Sequence, residues 1–233
     1  MRSSTWQALG NVYVLVEPRA SRLDAEAVRS LVGEADGVLE VVAHDDEGLE
    51  VVIWNPDGSR AELSGNGTRI AASWHFEQTG TQSVRVLVAG RSVAARRLDD
   101  GLVEQELGPV QVAPPEVIGR WTVTPVSVGN PHAVVLGDPA EIATVGPALE
   151  RHERFPERTN VQVARIDGPG VVTARVWERG VGETASSGTS AVAVAAATHG
   201  EGEVLVRFPG GDLRVRIHGG RAFLIAPLAT RVA

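Results

Sequence analysis

One stretch constrains the fold more than any other. Gly188–Thr198 has a helical pattern yet is almost all Ala and Val, so it offers no polar face to water. A helix of that kind has to be covered on every side. A second helical stretch, Asn66–Gln78, also opens with small residues and ends before Gly80. The covering material reads as sheet, because 26 Gly and 13 Pro punctuate many short Val-rich runs. Val12–Glu17, Val38–Ala43, Leu49–Trp54, Val84–Ala89, Ser92–Leu98 and Val103–Leu107 read as strands in the first half. Trp121–Val128, Ala133–Leu136, Val161–Arg165, Val171–Trp177, Glu203–Phe208, Leu213–Ile217 and Ala222–Ile225 do so in the second. Two further helices are expected: Ser21–Ala35 with a Ser N-cap, and Pro139–His152, interrupted at Gly146–Pro147.

The two small-residue helices begin alike. One is entered through Leu63-Ser64-Gly65-Asn66-Gly67-Thr68, the other through Ser186-Ser187-Gly188-Thr189-Ser190. A Gly-Asn pair lies upstream of each, Gly10-Asn11 and Gly129-Asn130, at nearly the same distance. These matched offsets indicate an internal duplication. The expected fold is therefore α+β, with two pseudo-symmetric domains, each a mixed sheet or barrel wrapped around a central helix. The Pro-rich Gly108–Pro115 makes the seam. That places one domain at 1–113, rejoined by the C-terminal segment 222–233 through its strand Ala222–Ile225, and the other at 114–221.

Composition removes several function classes. The net charge is −7 and no basic run offsets it, which disfavours nucleic acid as a partner. The apolar runs are too short for a membrane span or a signal-peptide core, so a cytoplasmic protein is expected. With no Cys there are no disulfides, thiolate metal sites or thiol nucleophiles. All 22 basic residues are Arg, which excludes a phosphate-loop Lys and a Schiff-base Lys. No His pair stands at helical ligand spacing, so no metal is expected. Gly180-Val181-Gly182-Glu183-Thr184-Ala185 fits a dinucleotide fingerprint only loosely and lacks its acidic partner.

A helix N-terminus offers unpaired N–H groups and the positive end of a dipole, and so binds anions, carboxylates included. Two such termini facing each other would hold a carboxylate from both sides, with Ser64 and Ser187 on its opposite faces. Taken singly, each Ser also reads as an N-cap.

Longer segments carry a family resemblance. They are Leu9-Gly10-Asn11, Ile53-Trp54-Asn55-Pro56-Asp57-Gly58-Ser59, Ser64-Gly65-Asn66-Gly67-Thr68-Arg69 and Gly129-Asn130-Pro131-His132. Gly146-Pro147 through Phe155-Pro156-Glu157-Arg158-Thr159-Asn160, Glu178-Arg179-Gly180-Val181-Gly182-Glu183-Thr184 and Phe208-Pro209-Gly210-Gly211 follow in order. The chain resembles diaminopimelate epimerase over nearly its whole length. The resemblance implies two domains that clamp a small amino-acid substrate, and inversion at an α-carbon by two acid/base groups without a cofactor. It also implies a homodimer. In the family both acid/base groups are cysteines, and they align with Ser64 and Ser187. A thiol supplies a thiolate near neutrality, whereas a hydroxyl needs a neighbouring base.

The resemblance further implies that backbone N–H groups of Gly65, Asn66, Gly188 and Thr189 hold the reacting carboxylate. Asn11, Asn55, Asn130, Asn160, Glu178 and Arg179 would hold the distal end of the substrate. Arg179 offers a fork for a carboxylate and Glu178 a charge for an ammonium. A family Gln is replaced by Glu40, and the loops around Gly101–Arg120 are short. His132 reads either as a proton relay to a serine or as an orienting histidine. Asn55 and Asn160 also read as turn residues, and Glu178 with Arg179 as a surface pair. Two other functions remain open on this scaffold: an isomerase or dehydratase, and an amino-acid binder without catalysis.

Overall fold

The computed structural model describes residues 2–46 and 48–232. The chain divides into two compact units, Met1–Glu106 with Ala226–Ala233, and Leu107–Ile225.

The first unit begins with strands β1 (Ser3–Ala8) and β2 (Asn11–Val16), helix α1 (Ala25–Leu31), and strands β3 (Gly37–His44) and β4 (Gly48–Trp54). Helix α2 (Gly65–Thr79) follows, then β5 (Ser83–Val88), β6 (Arg91–Arg97) and β7 (Leu102–Pro109). Neighbours pair in chain order: β1–β2 antiparallel, β2–β3 parallel, β3–β4 antiparallel, β4–β5 parallel, then two antiparallel steps to β7. Both parallel steps need a crossover, and α1 and α2 supply it. Helix α2 touches each strand from β1 to β6, and every residue from Gly65 to Phe76 is buried. Helix α1 covers part of the sheet with an apolar cluster of Val16, Leu23, Val28, Val32, Val38 and Trp54.

The second unit repeats the plan. After the short strands β8 (Gln111–Val112) and β9 (Glu116–Ile118) come β10 (Trp121–Ser127), β11 (Pro131–Leu136), α3 (Ile142–Glu150), β12 (Asn160–Gly168) and β13 (Val171–Glu178). A three-residue strand β14 (Gly182–Thr184) precedes α4 (Gly188–Thr198), β15 (Gly202–Phe208), β16 (Gly211–His218) and β17 (Arg221–Pro227). Strand β18 (Thr230–Arg231) pairs with β1 in the first unit. The order of pairing directions is the same: β10–β11 antiparallel, β11–β12 parallel, β12–β13 antiparallel, β13–β15 parallel, β15–β16 and β16–β17 antiparallel. Helix α4 touches β10 to β13, β15 and β16, and Gly188–Ala196 are buried throughout. Each fully buried Val of this helix contributes about 1.5–3 kcal/mol relative to exposure. The Ala/Val body of α4 is thus what an encircling sheet requires.

Several local expectations change. Helix α1 starts later than Ser21, because Asp24 caps it by accepting the Ala27 N–H at 2.8 Å. The stretch before it stays extended, with the Leu23 N–H bonded to Glu40. Helix α3 runs through Gly146–Pro147 without a break. Gly146 is there for contact: a Cβ would lie 2.6 Å from the Trp177 ring system. Ala222–Ile225 form a hairpin with β16 inside the second unit, and the segment belonging to the first begins at Ala226. Strands β1, β8, β9, β14 and β18 add to those expected from the sequence.

Candidate active site

In the first unit, Ser64 is the N-cap of α2, with extended backbone (φ −133°, ψ 120°). Its Oγ accepts the Gly67 N–H at 3.0 Å, and its carbonyl accepts the Thr68 N–H and hydroxyl, both at 2.9 Å. A Cβ on Gly67 would crowd Ser64 and Ile53 at 3.1–3.2 Å, so glycine suits the close cap. The Tyr13 hydroxyl lies 3.3 Å from Ser64 Oγ. Tyr13 is the only tyrosine of the chain. Asn66 donates through Nδ2 to Asn11 Oδ1 and accepts Arg69 Nη2–H at 2.9 Å through Oδ1. Asn11, Asn66 and Arg69 are all buried. Burial lowers the Arg69 pKa to about 10, which leaves it charged at neutral pH.

Two expected contributors in this unit have other partners. The buried Glu40 carboxylate accepts the Leu23 N–H at 2.8 Å, Arg22 Nε–H at 3.1 Å and Trp54 Nε1–H at 3.2 Å. The charge of this carboxylate is thereby met by three donors. Asn55 lies in a turn closed by Ser59, whose Oγ accepts its Nδ2–H at 2.9 Å.

In the second unit, Ser187 is the N-cap of α4 with similar backbone angles (φ −148°, ψ 126°), but its hydroxyl makes no capping bond. The residues behind it form a circuit. Asn130 Nδ2 donates to Thr189 Oγ1 at 3.4 Å, and Asn130 Oδ1 lies 3.0 Å from His132 Nε2. Gln162 Nε2 lies 3.0 Å from His132 Nδ1 and donates to Ser190 Oγ at 2.9 Å. A donating Gln162 leaves the ring proton on Nε2, where Asn130 accepts it. Burial pushes the His132 pKa down to about 3, and the Arg179 charge adds slightly; the Gln162 bond opposes. His132 is therefore neutral, with both nitrogens engaged and neither on Ser187. This geometry fits an orienting histidine.

The Glu178-Arg179-Gly180 turn is pinned from behind. Asn160 Oδ1 accepts the Arg179 N–H, while Asn160 Nδ2 donates to the Pro131 carbonyl, both at 3.0 Å. The buried Glu150 of α3 accepts the Gly180 N–H at 2.8 Å and the Trp177 indole N–H at 2.9 Å. Thr184 donates to Glu178 Oε1 at 2.6 Å. Asn130 and His132 also line a groove of about 520 Å³ with Ser127, Arg154, Phe155 and Glu157. Sequence reasoning missed Glu150, Gln162, Tyr13 and Arg69 as supporting residues. Only Arg69 and Glu150 lie within the quoted motif stretches, so those two carried a local signal. Among the described residues, no group of three His, Asp or Glu is placed to hold a metal ion.

The model of the family "Diaminopimelate epimerase" matches residues 4–113 and 124–223. The chain belongs to the diaminopimelate epimerase family. It is 36% identical over 255 residues to the diaminopimelate epimerase of Synechococcus sp. strain JA-3-3Ab, covering 91% of this chain and 88% of that one. The diaminopimelate epimerase of Rhodospirillum centenum is 34% identical over 261 residues, covering 95% and 87%. Among solved structures, a predicted epimerase of Pseudomonas aeruginosa has a TM-score of 0.78 at 16% identity, covering 100% and 97%. A hydroxyproline epimerase of Agrobacterium vitis, with bound trans-4-hydroxy-L-proline, has a TM-score of 0.67 at 14% identity, covering 99% and 90%. At those identities the structures establish the shared fold alone. Membership makes this diaminopimelate epimerase homologue an isomerase of the epimerase type.

Proposed function

We propose that the chain epimerises LL- and meso-diaminopimelate by two-base proton transfer at the α-carbon, with Ser64 and Ser187 at the acid/base positions. The observation that carries this reading is the duplicated site: two buried helices, each opened by Ser-Gly and each contacted in its first turn by the carboxamide of a Gly-Asn pair, the buried Asn11 in one unit and the half-buried Asn130 in the other. One hydroxyl-bearing group takes the α-proton and the other returns one to the opposite face of the carbon. The electron pair released from the C–H bond moves into the carboxylate. N–H groups at Gly65, Asn66, Gly188 and Thr189 are the donors we assign to that carboxylate.

Serine at both positions makes the proton transfer demanding. Each unit of pKa mismatch costs about 1.4 kcal/mol, tenfold in the reactive form. The Gly67 N–H and the Tyr13 hydroxyl next to Ser64 Oγ are the local help in the first unit. Asn11, Asn130, Asn160, Glu178 and Arg179 are assigned to the distal amino-acid end. Asn55 is assigned there too, whereas the Glu40 carboxylate is taken up by three protein donors and has no part in this reading; a homodimer in the cytoplasm is its expected setting.

A second reading is favoured by the same serines: a homologue that binds the amino acid and no longer inverts it. Proton NMR of diaminopimelate in D2O separates the two. Exchange at the α-carbon that disappears in Ser64→Ala and in Ser187→Ala supports epimerisation. Binding without exchange selects the binder, and no binding at all removes the substrate assignment.

A further inference from the structure

Arg69 has no role in the reading above, yet it is the least comfortable side chain in the first unit. It is 0% exposed. Its Nη2 donates to Asn66 Oδ1, while Nε and Nη1 are buried with no hydrogen-bond partner. No carboxylate pairs with it among the described residues. Buried cations are ordinarily paired, because burial removes their hydration. The location adds a second penalty. Arg69 stands early in α2, where the helix dipole is already positive and disfavours a cation. Long side chains on a helix lean toward its N-terminus, and the bond to Asn66, the second residue of α2, shows that this one does. Both penalties are relieved by one event, the arrival of an anion at the start of α2.

We propose that Arg69 is the buried cation that charges the anion site at the N-terminus of α2, with the substrate carboxylate as its counter-ion and Asn66 as the link between them. The proposal rests on the assignment of that site to an amino-acid carboxylate. Arg69 does not touch the substrate, so it is a positioning residue. It fixes the Asn66 carboxamide, and with it the Asn66 N–H that faces the anion, and it supplies positive potential. When the α-proton moves to the base, its electron pair adds negative charge to the carboxylate. The pull of Arg69 therefore grows in the transition state, and its loss lowers kcat as well as affinity.

Three variants test this: Arg69→Met and Arg69→Gln, which remove the charge, and Arg69→Lys, which keeps it. Diaminopimelate affinity is measured by calorimetry, and thermal midpoint with and without sodium acetate as the simple carboxylate probe. Both neutral variants are expected to lose affinity about tenfold or more, with Lys recovering most of it. Their ligand-free midpoints should stay within a few degrees of the wild type, or rise, and their acetate-induced increments should vanish. Unchanged ligand response in the neutral variants overturns the proposal. So does collapse of the ligand-free fold in both, since the charge would then be structural. A wild type that ignores diaminopimelate but is stabilised by acetate, with the increment lost in Arg69→Met, sinks the substrate reading and keeps Arg69. A wild type that responds to neither overturns both.

Discussion

Asn160 holds Arg179 by its main chain: the carboxamide oxygen on β12 accepts the Arg179 N–H at 3.0 Å. One residue on, Glu150 of α3 takes the Gly180 N–H at 2.8 Å. Two buried side chains from two different elements thus fix the backbone of a turn whose own side chains, Glu178 and Arg179, stay half-exposed. The arrangement separates rigidity from reach.

Removing the Glu150 carboxylate leaves the Gly180 and Trp177 N–H groups unpaired. Glu150→Ala is expected to lose about 3 kcal/mol or more in urea unfolding. In Asn160→Ala the turn loses its other anchor, and KM for diaminopimelate should rise about tenfold with a smaller change in kcat. Equal loss in kcat and unchanged KM would contradict that role.

The two serine caps differ in stability terms. Ser64→Ala deletes the bond to Gly67 and should cost about 1 kcal/mol, within the usual range for an N-cap. Ser187 makes no such bond, so Ser187→Ala is expected to cost only a few tenths of a kcal/mol. Chemical denaturation of the two variants side by side checks the asymmetry.

Thiols at both positions supply a group with a reference pKa of about 8.5, lowered further at a helix N-terminus. The double variant Ser64→Cys with Ser187→Cys should exchange the diaminopimelate α-proton about a hundredfold faster than the wild type. A slower double variant would mean that the site has been rebuilt around hydroxyls.

His132 makes stability depend on pH. Its folded-state pKa, about 3, lies below the unfolded value of 6.5, so the unfolded chain binds the proton more readily between them. The stabilisation is complete above about pH 6.5 and is lost on acidification at up to about 1.4 kcal/mol per pH unit. Burial lowers the His75 pKa too, so it contributes with the same sign. Urea midpoints from pH 7 down to 4 should fall more steeply for wild type than for His132→Asn.

Gly146→Ala places a methyl 2.6 Å from the Trp177 ring system, which Glu150 holds by its indole N–H. With no easy path for the ring to move, a loss of about 1–3 kcal/mol is expected, read as a lower thermal midpoint.

Much of this was legible in the sequence, for identifiable reasons. The Ala/Val run of α4 admitted only full burial, and Val-rich runs between glycines marked the long strands. Strand β1 was invisible because Ser3–Ala8 is polar and alternates weakly; pairing with β2 makes it a strand. Strands of two or three residues carry too little pattern to show. Gly146–Pro147 looked like a helix breaker because sequence displays proline's missing donor and hides the Trp177 contact that needs glycine. In the site, the serines and their Gly-Asn partners could be found by spacing. Gln162 and Tyr13 could not, since Gln162 reaches His132 across the β11–β12 pairing and Tyr13 reaches the cap of α2 from β2, 30 and 51 residues away.

The unequal state of the two hydroxyls has a consequence for stereochemistry. The Ser64 oxygen is engaged by a backbone donor before any ligand arrives, whereas the Ser187 oxygen is idle. An epimerisation that used both hydroxyls would deliver the substrate proton to an engaged oxygen in one direction and to an unengaged one in the other. The plan of the fold is used twice, but its two helix caps are not equivalent at rest.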